Sequence, residues 1–85
     1  MTFRCTMIVE VPGLIDYLEK RQLRKQYEKS KKYVLMWLFK EVDFRKSEPK
    51  EDNVFYFKIN VQYRAIGYMD WEVFKVTEIS GHQTN

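Results

Sequence analysis

The chain has 85 residues, one cysteine and a formal net charge of +3, so it has room for one small domain and for no intramolecular disulfide or cysteine-built zinc site. Hydrophobic residues make up 45% and charged residues 32%, a globular mixture and not a disordered one. The longest apolar run, residues 33–39, is far short of the roughly 20 residues a membrane span needs. No basic segment leads into an apolar one at the start, so the expectation is a cytoplasmic domain that needs no metal or cofactor.

In chain order, residues 2–11 alternate, with Phe3, Cys5, Met7, Val9 and Val11 on one side and Arg4, Thr6 and Glu10 on the other, Ile8 being the exception. That pattern predicts a half-buried strand facing inward through its odd positions, and Pro12-Gly13 ends it. From Leu14 to about Val42 the apolar spacing turns helical, through Leu14, Leu18, Leu23, Tyr27, Ser30, Val34 and Leu38. The stretch is long enough to predict a break near residues 20–23. Residues 33–39 read as the part of the second helix that is buried on most of its circumference. Residues 43–53 are polar, contain Pro49 and predict a loop with a short extended start at Phe44. Three strand-like runs follow, at 54–60, 62–69 and 72–80. Short connections between them predict an antiparallel meander. Gly67 inside the second run predicts a bend or a close backbone approach. The fold class is α+β with two layers: an N-terminal strand, two helices packed on one side of the sheet, and the three-stranded meander.

Charge is unevenly distributed. Residues 1–50 hold 12 Lys/Arg against 7 Asp/Glu, and residues 51–85 hold 3 against 5. Seven bases fall between residues 20 and 32, among them Lys25, Lys29 and Lys32, with Glu28 as the one acid there. This segment is either a solvated helix face or an attractor for a polyanion or an acidic peptide.

No phosphate loop, dinucleotide fingerprint, nucleophile elbow or HExxH is present. The second half instead offers Lys58, Arg64 and His82, one from each successive strand region. Neighbouring strands of a meander bring side chains within about 5 Å, so the three can converge. A lysine, an arginine and a histidine suit RNA cleavage by the adjacent 2′-hydroxyl. That step needs a base for the hydroxyl, positive charge on the phosphorane and an acid for the departing 5′ oxygen. Each residue also has a plainer reading. His82 is a bystander near a terminus, Arg64 pairs with Glu72 or Glu78 across the sheet, Lys58 snorkels at an edge, and Tyr56, Tyr63 and Tyr68 pack the sheet.

The segments Phe55-Tyr-Phe-Lys-Ile-Asn-Val-Gln-Tyr-Arg-Ala-Ile-Gly-Tyr68 and Phe74-Lys-Val-Thr-Glu-Ile-Ser-Gly-His-Gln83 resemble the C-terminal half of the RelE/ParE toxin superfamily, most closely its RelE/HigB-like branch. The likeness extends over about 60 residues, from 23 to 83, and centres on Ile59-Asn-Val-Gln-Tyr-Arg64. It implies the toxin of a type II toxin–antitoxin pair: a metal-independent, ribosome-dependent mRNA endoribonuclease that inhibits translation and is silenced by a cognate antitoxin. Its partners would be that antitoxin, the ribosome and mRNA, with no membrane and no small-molecule cofactor. By the resemblance Lys58 takes the basic position on the first meander strand. Arg64 is the phosphate and transition-state ligand, and His82 is the acid or base. Lys46 and Lys50 lie near the RNA path, and Tyr56 stands at a position where relatives carry a second lysine. The basic helix, with Lys25, Lys29 and Lys32, would meet rRNA phosphates or an acidic antitoxin. The chain departs from the pattern at Gly81, where many relatives carry an acid, and in a tail without tyrosine. Two other functions stay open: a ParE-like DNA gyrase inhibitor and a catalytically inactive binding module.

Overall fold

The computed structural model describes residues 5–47 and 53–81. Five strands and two α-helices follow the order β1 (Met7–Glu10), α1 (Leu14–Lys20), α2 (Arg24–Leu35), a 3-10 turn (Phe39–Val42), β2 (Arg45–Lys46), β3 (Val54–Lys58), β4 (Tyr63–Asp70) and β5 (Val73–Gly81). The strands form one mixed sheet in the order β1-β5-β4-β3-β2. The meander β3-β4-β5 is present, within a few residues of its predicted limits at every strand end. The sheet around it is larger than expected. β1 joins it in parallel beside β5, and the two-residue β2 adds a second edge. No described helix is long and apolar enough to cross a membrane.

β1 presents the opposite side to the one its alternation predicts. Ile8 is buried, whereas Met7 is 54% exposed. Glu10 lies on the same side as Ile8 and reaches the helix layer, where one carboxylate oxygen accepts from the Tyr27 hydroxyl at 2.7 Å and from Lys31 Nζ at 2.8 Å. A polar residue can occupy an inward position when its hydrogen bonds are supplied there. Burial, reinforced by the bond to Glu10, pushes the Tyr27 phenol well above its ordinary value of 10.0.

α1 starts after Gly13, whose φ of +88° is a conformation that costs a side-chain-bearing residue about 1 kcal/mol or more. It ends in a Schellman motif. Leu23 N donates to Leu18 O (2.8 Å) and Gln22 N to Glu19 O (3.0 Å), with Gln22 at φ +58°. The apolar contact typical of that motif is made by Leu18 and Leu23, both in the core. This is the predicted break between helices.

α2 closes in the same way and earlier than expected. Leu38 N donates to Tyr33 O (2.9 Å) and Trp37 N to Val34 O (3.0 Å), with Trp37 at φ +62°. The indole Nε1 of Trp37 donates to the Cys5 carbonyl at 3.0 Å, which ties this unusual conformation to the strand end. The helix that packs on the sheet therefore stops at Leu35, and residues 33–39 do not form one buried helix. Leu35, Met36, Trp37 and Leu38 are 37–64% exposed.

The core lies between the helices and one side of the sheet. Tyr27, Ser30 and Val34 of α2 face Phe57, Ala65, Met69, Phe74 and Val76. Phe44 stacks on Phe39 (5.1 Å) and Phe55 (5.5 Å) and meets Phe74 edge-on (5.4 Å). Such pairs add about 0.5–1.5 kcal/mol each beyond area burial and fix β2 against β3. Gly67 sits where β4 and β5 change register, between Ile66 and Gly67. A Cβ there would lie 1.9 Å from the Lys75 carbonyl oxygen, so the predicted close approach is real and only glycine fits it.

Candidate functional site

Strand alternation divides the sheet residues cleanly. Phe57 and Ala65 point toward the helices, so Tyr56, Lys58, Arg64 and Ile66 point away from them, onto the face no helix covers. On that open face Lys58 and Arg64 are direct partners across β3 and β4, and Arg64 is the partner of Ser80 on β5. One row thus carries a lysine, an arginine and a serine across three strands. The next row carries Arg45, Tyr56, Ile66 and Glu78.

The Arg64 guanidinium lies 4.9 Å from the centre of the Tyr56 ring, a cation–π contact worth about 0.5–1 kcal/mol at a partly exposed site. Neither Glu72 nor Glu78 forms an ion pair with Arg64, and no other acid among the described residues does so. Glu78 stands opposite Ile66, and Glu72 lies in the β4–β5 turn, where its carbonyl binds Thr6. The arginine is therefore held by a ring, its hydrogen-bond donors are not taken by any described residue, and those donors match two phosphate oxygens at once.

Lys58 and Arg45 share an acid. Asp43, at φ +52°, accepts from Arg45 at 2.8 Å and lies 4.0 Å from Lys58 Nζ. Arg45 belongs to the cluster although nothing in the sequence reading nominates it, since it sits in a polar stretch that reads as loop. Its signal is the alternation Phe44-Arg45-Lys46: once Phe44 enters the core, Arg45 must face outward.

The remaining nominated residues scatter. Lys46 is the partner of Phe55, with its ammonium 5.9 Å from that ring, on the helix side of the β2 edge and away from Arg64. Lys25, Lys29 and Lys32 are exposed on α2 at i, i+4 and i+7, on the side opposite Tyr27, Ser30 and Val34. They do not share the open sheet face. Lys50 and His82 lie outside the described residues. Among the described residues no three His, Cys, Asp or Glu side chains gather into a metal-binding set.

The turn from β3 to β4 explains most of the Ile59-Asn-Val-Gln-Tyr-Arg64 segment. The Asn60 side-chain oxygen accepts from the backbone N–H of Gln62 and of Tyr63, both at 2.8 Å, an Asx-type turn. The Asn60 amide nitrogen donates to Gln26 Oε1 at 2.6 Å and binds the hairpin to α2. Ile59 enters the core and Val61 is 87% exposed at the tip. Arg64 is the member of the segment whose placement the turn does not explain.

No protein family, no curated protein and no solved structure matches this chain.

Proposed function

We propose that this chain is a RelE/ParE-like toxin of a type II toxin–antitoxin pair, acting in the cytoplasm as a ribosome-dependent mRNA endoribonuclease that needs no metal. The observation that carries this reading is the Lys58–Arg64 pair on the uncovered sheet face, with Arg64 on Tyr56 and, among the described residues, no acid on its guanidinium.

In the proposed reaction the 2′-oxygen of one nucleotide attacks the adjacent phosphorus and its proton passes to a base. The bond to the 5′ oxygen breaks, and that oxygen takes a proton from an acid. The products are a 2′,3′-cyclic phosphate and a 5′-hydroxyl. Arg64 holds two non-bridging oxygens and stabilises the charge that builds on the phosphorane. Lys58 adds a second positive charge beside it. Tyr56 orients the guanidinium and offers a ring to a base. His82 is the proton carrier, since an imidazole exchanges a proton near neutral pH.

Expression in bacteria tests the proposal. The wild-type chain should arrest growth and cut transcripts, and Arg64→Ala and His82→Ala should each relieve both effects. Cutting that persists in both variants rules the mechanism out. Growth arrest without cutting, together with blocked supercoiling by purified protein, would instead establish the gyrase-inhibitor reading.

A further inference from the structure

Lys58 borders a second feature besides the open face. A cleft of about 420 Å³ runs along the uncovered part of the β3 edge, a volume in the range of small-ligand sites. Three elements line it: Lys29 and Tyr33 from α2, Glu41 from the 3-10 turn, and Lys58 with Asn60 from the end of β3 and its hairpin. Asn60 and Gln26, hydrogen-bonded to each other, are part of the lining. Lysines 29 and 58 come from different layers of the molecule, and the cleft is where those layers meet.

We propose that this cleft holds one nucleotide of single-stranded RNA next to the linkage at Arg64, and that it favours a base carrying an exocyclic amine. The inference rests on the RNA-cleaving reading above and extends it. Lys29 and Lys58 can each meet a phosphate, so a strand crossing from the open face over the β3 edge finds positive charge on both rims. The half-buried Tyr33 ring provides a stacking surface. Glu41 gives the cleft its selectivity. An ionised carboxylate only accepts hydrogen bonds and repels phosphate, so a nucleotide is accommodated there when its base turns an amino group toward it. Adenine, cytosine and guanine have that group; uracil lacks it and offers only an N3–H set between two carbonyls that the carboxylate repels.

Fluorescence anisotropy with labelled eight-nucleotide oligo(A), oligo(C) and oligo(U) on the full chain tests the proposal. Lys29 and Glu41 are exposed, so their replacement leaves the fold intact. Oligo(A) and oligo(C) should bind about tenfold tighter than oligo(U), the value of one hydrogen bond to a charged group. Glu41→Ala should erase that ratio, chiefly by improving oligo(U). Lys29→Ala should weaken all three by about fivefold at 0.1 M salt and reduce the salt slope by about 0.7, the effect of one lost phosphate contact on a single strand. Wild-type affinity and slope in Lys29→Ala, or an unchanged base ratio in Glu41→Ala, overturns the subsite. Lys58→Ala and Arg64→Ala distinguish the two levels. If they weaken binding while the cleft variants do not, the subsite alone fails. If they too bind as wild type, the RNA reading fails with it.

Discussion

The outer side of α2 and the open face of the sheet are both basic, but their charges are held differently. On α2 two of the bases, Arg24 and Lys31, are tied to acids, while Lys25, Lys29 and Lys32 stand exposed along its outer side. Arg24 pairs with Glu19 at 2.9 Å and approaches Glu28 at 3.9 Å, and Lys31 is bound to Glu10 at 2.8 Å. On the sheet Arg64 rests on a tyrosine, with no acid on its guanidinium among the described residues. A count of basic residues favours the helix, yet the geometry favours the sheet, because a guanidinium fixed on a ring beside a second cation is oriented for a phosphate, whereas the exposed helix lysines are separate point charges on flexible stems. The density of charge along a chain is thus a poorer guide to an anion site than the company each charge keeps.

That contrast can be broken most directly by comparing rates. Arg64→Ala should lower RNA cleavage by about 100-fold to 1000-fold, the usual loss of one charge-stabilising donor. The double variant Lys25→Ala/Lys32→Ala should lower it by no more than about threefold, through weakened long-range attraction that high salt abolishes. Equal losses, measured on one labelled RNA substrate, would erase the distinction between the two surfaces.

The sheet face also depends on the register that Gly67 permits. Gly67→Ala forces a methyl into the Lys75 carbonyl and should cost about 3 kcal/mol of stability, at the upper end for overpacking, read as a shift in the urea midpoint. A stable, active Gly67→Ala would show that the rows across β3, β4 and β5 tolerate displacement.

The helix side is sharpened by pH. The folded Tyr27 phenol titrates well above 10.0, for burial and the Glu10 carboxylate both oppose its ionisation. Its contribution to stability is therefore complete below about pH 10 and is lost as pH climbs above that value. Tyr27→Phe should be less stable by about 1.5 kcal/mol near neutrality, and its stability should fall less steeply between pH 9 and 11 than that of wild type. Denaturant titrations across that range provide the test. The smallest effect belongs to the joint between the helices. Gln22→Gly relieves a positive φ and should raise stability by about 0.5–1 kcal/mol with cleavage unchanged. A loss of stability would mean that the Gln22 side chain contributes something its backbone does not.

Most of the meander was legible in the sequence because its strands alternate, its turns are short and Gly67 stands where two backbones touch. The pairing of Lys58 with Arg64 follows from the same alternation. Other features were hidden for physical reasons. The end of α2 carries no glycine or proline, since Trp37 adopts the left-handed conformation and an indole hydrogen bond holds it there. The alternation of β1 points to the wrong side because it places Met7, which is exposed, in phase with the core, and places Glu10, whose bonds are supplied inside, in phase with solvent. The parallel docking of β1 beside β5 leaves no local trace, as the two strands are more than 60 residues apart. Arg45 has no signal of its own in the sequence because a two-residue strand is too short to show a period.

The position of β5 has a consequence for how the molecule is made. It is the last of the described strands in the chain, yet it lies between β1 and β4 in the sheet. During synthesis β1 emerges first and has no neighbour until residues 73–81 appear, so the hydrophobic layer under the helices cannot close on a partial chain. Assembly must wait for the most distant contact in the topology, which favours slow folding. The row of Lys58, Arg64 and Ser80 needs only the hairpin pairings of β3, β4 and β5, so it can be ordered before the sheet is closed by β1.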